Sequence, residues 1–161
     1  FSLEPINPIQ LLDEVAQDIR PLYLAKGQQI AVVDRHRSML GIANRELLRS
    51  IMLHFADNAV HYGAAGAPVK FSAHTYGGGR KIRLSVRDHG PAVPSDVWQV
   101  LAKTLGQRPQ PLHNRPDSSG LGLYISSEFA RAMQGAIGAI RHRDGTTFYV
   151  DINASTQMRL L

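Results

Sequence analysis

The chain has 161 residues, of which 43% are hydrophobic and 19% charged, as expected for one soluble globular domain with a core of its own. It lacks cysteine, which excludes disulfides and a cysteine zinc site, and it has no stretch of about 18 apolar residues that could span a bilayer. A net charge of +5 is compatible with nucleic acid or with an anionic ligand. Because no aromatic residues interleave with the basic ones, we expect a polyphosphate rather than nucleic acid.

The first half of the chain predicts a helix, two strands and a second helix. Asn7 is a suitable helix cap and Pro8 is favoured at the first helical position, so the first helix begins here. Apolar residues then recur at helical spacing, Pro21 predicts a kink and Gly27 predicts the end of the helix. The elements that follow are strands over 28–34 and 38–42 and a long helix from its cap Asn44 to Gly63.

The second half predicts a hairpin, two helices and a second hairpin. Apolar residues alternate over 69–76 and 81–88, on either side of the glycine-rich turn 77–80. A short helix capped by Ser95 precedes a proline-rich loop over 106–119, and loops of this length in compact domains are usually functional. The remaining elements are a helix over about 121–134 and strands over 136–143 and 146–153. We therefore expect an α+β two-layer sandwich, with a mixed, mostly antiparallel sheet and helices on one face.

One face of the long second helix carries a polar stripe beside its apolar side. The stripe consists of His54, Asn58, His61 and Tyr62. Any surface helix has a polar side, but asparagine is unfavourable inside a helix, and its amide oxygen suits a hard cation such as Mg²⁺. The two histidines also permit a zinc interpretation, for which no third ligand is evident.

Two further positions could contact a ligand. Asp88 follows an apolar strand and precedes Gly90, which is typical of a turn but also of a carboxylate that accepts a hydrogen bond from a ligand amine. Gly120 and Gly122 lie at the start of a helix, where bare backbone N–H groups and the helix dipole favour an anion. A flexible loop entering a helix is the alternative. Neither a P-loop nor a dinucleotide fingerprint is present.

Taken in order, these segments resemble the ATP-binding domain of sensor histidine kinases, whose superfamily includes type II topoisomerases, MutL-type repair proteins and a chaperone ATPase. The resemblance spans about residues 2–153. "LHFADNAVHYG" is similar to the N box, "DHGPAVP" to the first glycine box, "SSGLGLYIS" to the second and "DGTTFYVDI" to the closing Gly-Thr-x-Phe segment. The resemblance implies the Bergerat-type ATP-binding fold, with ATP and Mg²⁺ as its ligands.

The resemblance assigns a role to each matching residue. Asn58 would coordinate Mg²⁺, and His54 occupies the other N-box position of the metal shell. Asp88 would accept a hydrogen bond from the adenine amine, with Tyr62 packed near the base. The other implied ATP-binding positions are His61, Gly90, Ser119, Gly120, Leu121, Gly122, Leu123 and Thr146. Trp98 would occupy the place of the aromatic residue that anchors the lid.

Three positions depart from the usual pattern of the family. His54 replaces an asparagine, His61 replaces a lysine, and Ala92 replaces the second glycine of the Asp-x-Gly box. The charge of a histidine depends on pH, so its contact with phosphate is weaker than that of lysine. The methyl group of Ala92 is expected either to crowd the pocket or to change the turn.

The resemblance also implies a reaction and partners. The reaction is transfer of the γ-phosphoryl group of ATP to a histidine on a separate helical hairpin, for relay to a response regulator. We expect residues 1–161 to form one domain of a longer chain, a dimeric inner-membrane sensor in which this domain lies on the cytoplasmic side. The hairpin is expected in another part of the same protein, outside these residues. Two alternatives stay open: an anti-sigma-type serine kinase of the same superfamily, and a degenerate nucleotide-binding or interaction module with little kinase activity.

Overall fold

A computed structural model of the protein describes residues 2–33, 39–64, 66–106 and 121–155. The strands are β1 (Glu4–Ile6), β2 (Ile30–Val32), β3 (Gly41–Ala43), β4 (Val69–Tyr76), β5 (Lys81–Arg87), β6 (Ala136–His142) and β7 (Gly145–Ala154). The helices are α1 (Pro8–Ala25), α2 (Arg45–Tyr62), α3 (Ser95–Gly106) and α4 (Leu121–Ala132). Within these residues, no helix combines the length and apolar content that crossing a bilayer requires.

The strands form one sheet in the order β1-β3-β7-β5-β4-β2, and β6 also pairs with β7. β7 pairs with β5 along one edge and with both β6 and the short β3 along the other. All pairs are antiparallel except β2 with β4. The predicted α+β sandwich with a mixed, mostly antiparallel sheet is therefore confirmed.

The core lies between one face of the sheet and the helices. Alternate residues of the central strands point inward and are buried; examples are Phe71, Leu84 and Val150. Phe148 of β7 stacks on Phe55 of α2, with ring centroids 5.5 Å apart. This contact fixes α2 against the middle of the sheet, which places its polar stripe along the edge of the core.

The predicted end of α1 is confirmed, whereas three other boundaries need correction. α1 continues through Pro21 to Ala25, and Gly27 follows it with a φ of 69°. β2 and β3 are only three residues long, shorter than the two predicted strands. α4 ends at Ala132 rather than near 134, because Gln134 has a φ of 62°, which the helix cannot continue.

The outer face of the sheet carries a stacked ion pair. Arg83 donates two hydrogen bonds to Asp151, with Nε 2.8 Å from Oδ1 and a terminal nitrogen 3.0 Å from Oδ2. Its guanidinium carbon lies 3.7 Å from the ring centroid of Tyr149 and 5.1 Å from that of Tyr76. Asp151 raises the pKa of the Arg83 guanidinium. The cluster therefore joins β4, β5 and β7 outside the core.

Replacing Arg83 with methionine is expected to lower the free energy of unfolding by about 2 kcal/mol, because Asp151 loses its partner and the tyrosines lose the cation. Urea denaturation measures this loss. Lys70→Met, which removes an exposed cation from the same face, is the control and should change stability by less than about 0.5 kcal/mol. Equal losses in the two variants would show that the stacked pair adds nothing.

Candidate functional site

Helix α2 presents the polar stripe predicted from the sequence. The side-chain oxygen of Asn44 accepts a hydrogen bond from the Leu47 amide at 3.0 Å, which fixes the start of the helix. Asn58 is half-buried, whereas His61 is exposed, with its Nδ1 atom 2.7 Å from the Asp57 carbonyl oxygen. His61 thus contacts its own helix.

Asp88 lies directly after β5 and is nearly enclosed, with 6% of its surface exposed. Its Oδ1 atom accepts a hydrogen bond from the Gly90 amide at 3.0 Å. Its own amide donates to the Thr146 carbonyl oxygen at 3.0 Å. The carboxylate is therefore held by the turn that follows it and by the start of β7.

Glycines surround Asp88 closely. A Cβ atom on Gly145 would stand 2.2 Å from the Asp88 carbonyl oxygen and 2.7 Å from Oδ1. A Cβ atom on Gly63 would stand 2.7 Å from the Ala59 carbonyl oxygen and in ordinary van der Waals contact with the Asp88 Cβ, at 3.6 Å. A Cβ atom on Gly90 would stand 1.8 Å from the Tyr62 carbonyl oxygen. The end of α2, the turn after β5 and the start of β7 thus meet at distances that only glycine permits.

Two buried polar residues in the same region as Asp88, Tyr23 and Gln28, were not singled out from the sequence. Tyr23 donates a hydrogen bond to the Ala56 carbonyl oxygen at 2.6 Å, and burial raises the pKa of its phenol, with the charges of Asp88 and Asp57 adding to the effect. Gln28 is 3% exposed, and its Nε2 atom lies 3.3 Å from the position that a Cβ on Gly63 would take. A glutamine beside a strand gave no sequence signal, because its burial depends on tertiary packing.

His54 lies about 12 Å before Tyr62 along the α2 axis and contacts the start of α4. A Cβ atom on Gly122 would stand 2.3 Å from its Cε1 atom and 2.9 Å from its Nε2 atom. The Nε2 atom is buried and has no hydrogen-bond partner among the described residues. Burial lowers the pKa of the imidazole, and the negative charge of Asp57 partly opposes this shift.

The structure describes only some of the remaining predicted residues. Leu123 and Thr146 are 2% and 1% exposed, so their side chains belong to the interior. Leu121 begins α4, and Ser119, Gly120 and most of the proline-rich loop lie outside the described residues. Trp98 is partly buried against the core, and its role as a lid anchor stays a prediction.

Ala92 lies on the surface beside the last hairpin. It is exposed and lines an open cleft of about 210 Å³ with Arg141, His142 and Arg143 of the last hairpin. Burial lowers the pKa of His142, and the positive charge of Arg87 adds to this shift. The effect of Ala92 on the turn and on the pocket stays a prediction.

The described residues contain no group of three or more His, Asp or Glu side chains placed to hold a metal. The zinc interpretation of His54 and His61 therefore gains no support from the part of the chain that the structure covers.

Known structures share this architecture. The chain superposes on the catalytic domain of the histidine kinase ThkA with a TM-score of 0.76 at 17% identity, covering 98% of this chain and 99% of that one. It superposes on full-length ShkA, crystallised with AMPPNP, with a TM-score of 0.77 at 32% identity, covering 96% of this chain and 32% of that one. The fold is that of histidine kinase catalytic domains.

Sequence comparison places the chain within a family. Residues 43–156 match the model of the histidine kinase-, DNA gyrase B- and HSP90-like ATPases. The chain belongs to this family, as the sequence motifs predicted. Sensor histidine kinase AruS of Pseudomonas aeruginosa is 30% identical over 125 residues, which is 75% of this chain and 12% of AruS. The sensory kinase SasA of Synechococcus elongatus is 25% identical over 151 residues, which is 89% of this chain and 38% of SasA.

Proposed function

We propose that residues 1–161 form one ATP-binding catalytic domain of a two-component sensor histidine kinase. The observation that carries this proposal is the enclosure of Asp88, whose nearly buried carboxylate lies where α2, the turn after β5 and the start of β7 converge. A fixed carboxylate in such a place accepts a hydrogen bond from an amine and repels a carbonyl group. It therefore favours adenine over guanine, which has a carbonyl oxygen at the equivalent position.

The polyphosphate would extend from this pocket along α2 toward α4. The first backbone N–H groups of α4 have no partner within the helix and carry the positive end of its dipole. Gly122 leaves the helix start free of a side chain at the point nearest His54. We assign phosphate binding to this backbone, together with Ser119, Gly120, Leu121 and Leu123, as the motif implies.

Mg²⁺ is the cation we propose, held through the amide oxygen of the half-buried Asn58. When bound, it would neutralise charge on the phosphates. His54 fits such an ion poorly, because Mg²⁺ prefers oxygen ligands and the His54 Nε2 atom is buried against Gly122. Of these two N-box side chains, Asn58 is therefore the favoured Mg²⁺ ligand.

In the proposed reaction, a histidine nitrogen of the separate helical hairpin attacks the γ-phosphorus. A P–N bond forms as the bond to the β-phosphate oxygen breaks, and the electron pair leaves with ADP. The domain's part is to hold the base at Asp88 and the phosphates at α4, so that the γ-phosphoryl group is presented in line. The phosphoryl group would then pass to a response regulator. The full-length sensor would be a dimer at the inner membrane.

Isothermal titration calorimetry with AMP-PNP and with the corresponding guanine analogue, each in the presence of Mg²⁺, tests nucleotide binding. We expect the adenine analogue to bind at least about tenfold more tightly. Equal affinities would reject the assignment of Asp88. No binding of either analogue at millimolar concentration would favour an interaction module that kept the fold without the ligand.

Asn58→Ala is expected to remove most of the Mg²⁺-dependent gain in affinity for AMP-PNP, about tenfold, and to leave the affinity in EDTA unchanged. The same titration with and without Mg²⁺ measures this difference. Ser50→Ala is the control, since Ser50 is an exposed polar residue of the same helix. If Asn58→Ala keeps the full Mg²⁺ effect, the cation is held elsewhere.

A further inference from the structure

The contact between His54 and Gly122 joins the two helices to which we assign the phosphate end of the nucleotide. The imidazole lies where a side chain at position 122 would stand, and all three of the nearest atoms to that point belong to the ring, at 2.3, 2.9 and 3.0 Å. Real Cβ atoms essentially never approach other heavy atoms closer than 3.0 Å. An imidazole at 54 and a Cβ at 122 therefore exclude each other in this arrangement.

Both ends of α4 contact the core, but only the start of the helix also rests on the imidazole of His54. Its later turns are anchored in the core through Ala130 and, just beyond the helix, Met133, both completely buried. Near its start, Leu123 points into the core and Gly122 rests on the imidazole of α2. Since Gly122 has no side chain, the size of residue 54 sets how closely the first turn of α4 approaches α2.

We propose that His54 is a positioning residue, whose imidazole fills the space left by Gly122 and sets the place of the α4 backbone that binds the triphosphate. This inference rests on the proposed function. It gives His54 a role that requires no metal, and it makes Gly122 one half of a matched pair rather than only a point of backbone access. An asparagine at position 54 would lack the Cε1 and Nε2 atoms, which are the two closest to a methyl group at 122, so that the nearest remaining atom would be the one in the place of Nδ1, at 3.0 Å.

The pair is tested by a double-mutant cycle of Gly122→Ala, His54→Asn and both together. Thermal unfolding without nucleotide measures the contact itself, and calorimetry with adenosine and with AMP-PNP separates the base from the phosphates. Gly122→Ala should lower the Tm and reduce the affinity for AMP-PNP about tenfold, because small displacements of the groups that bind the phosphates are costly. Its affinity for adenosine should stay within about twofold of the wild type, since the groups around Asp88 do not move.

The double variant should regain most of the Tm and of the AMP-PNP affinity that Gly122→Ala loses. Gly41→Ala is the matched control, because its Cβ would stand 2.5 Å from the Ile152 side chain, and its three nearest atoms all belong to Ile152 and Ile82 of the sheet rather than to α2 or α4. Gly41→Ala should lower the Tm but change the affinities for adenosine and AMP-PNP by the same factor. Adding His54→Asn should not restore its Tm.

If the losses of the two single variants simply add in the double variant, the positioning role of His54 is overturned, but the proposed nucleotide binding is not. An equal loss of adenosine and AMP-PNP affinity in Gly122→Ala would also overturn it, since a general structural defect would then explain the result. A wild-type protein that binds neither ligand would instead reject the proposed function, and the positioning role with it. The Tm cycle would still report whether the two residues are matched in size.

Discussion

Asp88→Asn is expected to lower the affinity for AMP-PNP at least about a hundredfold. Asparagine can still accept the hydrogen bond from the Gly90 amide, which the Oδ1 atom of Asp88 accepts in the structure at 3.0 Å. The second carboxylate oxygen, however, is replaced by an amide nitrogen. Its N–H donor would face the adenine amine, which is itself a donor. Losing a charge-assisted hydrogen bond and leaving buried donors unpaired costs about 3 kcal/mol, which corresponds to this factor.

Asp57→Asn is the matched control for the loss of charge. Asp57 is exposed on α2, and its negative charge acts on Tyr23 as that of Asp88 does. Its removal should change nucleotide affinity less than about threefold, since exposed charges are well screened. Calorimetry of both variants decides between a specific hydrogen bond and a general electrostatic effect, and similar losses in the two would contradict the adenine contact.

Gly90→Ala is expected to be the most destabilising single methyl addition in the site, by about 4 kcal/mol or more. The new Cβ would stand 1.8 Å from the Tyr62 carbonyl oxygen, 2.8 Å from its carbonyl carbon and 3.2 Å from the Gly63 Cα. All three atoms are backbone, so no change of rotamer relieves the clash. The end of α2 and the turn after β5 would have to separate, and Asp88 would move with them.

Gly66→Ala is the control for Gly90→Ala. Gly66 has a φ of 83°, but a Cβ there would meet nothing within 4 Å. Its replacement should therefore cost only the strain of a left-handed alanine, about 1 kcal/mol. Chemical denaturation measures both losses. Comparable losses would mean that the turn after β5 is free to move away from α2.

Local sequence signals predicted the elements whose patterns are long. The alternation of β4 and β5 around a glycine turn and the capped, amphipathic α2 need no knowledge of the rest of the chain. β1 was missed because its three residues, which include Pro5, form a strand only through pairing with β3. The pairing of β3 and β6 with the same side of β7 is likewise a long-range property, which no local pattern contains.

The candidate site shows the same limit. The motifs identified Asp88, Asn58 and the glycines, because turn chemistry and helix faces can be read from the sequence. They did not reveal that Gly90 touches the backbone of Tyr62, or that Gly122 touches His54. Both glycines are required by contacts between residues more than a helix apart in sequence. The buried Gln28 was missed for a related reason, since a polar side chain gives no sign that tertiary packing will cover it.

The most direct test of the nucleotide assignment is a crystal structure of this domain with AMP-PNP and Mg²⁺. We expect the exocyclic amine of adenine to lie within hydrogen-bond distance of the Asp88 carboxylate, and the phosphates to lie over the start of α4 beside Gly122. A nucleotide bound with its base away from Asp88, or with its phosphates on another element, would contradict the proposed site.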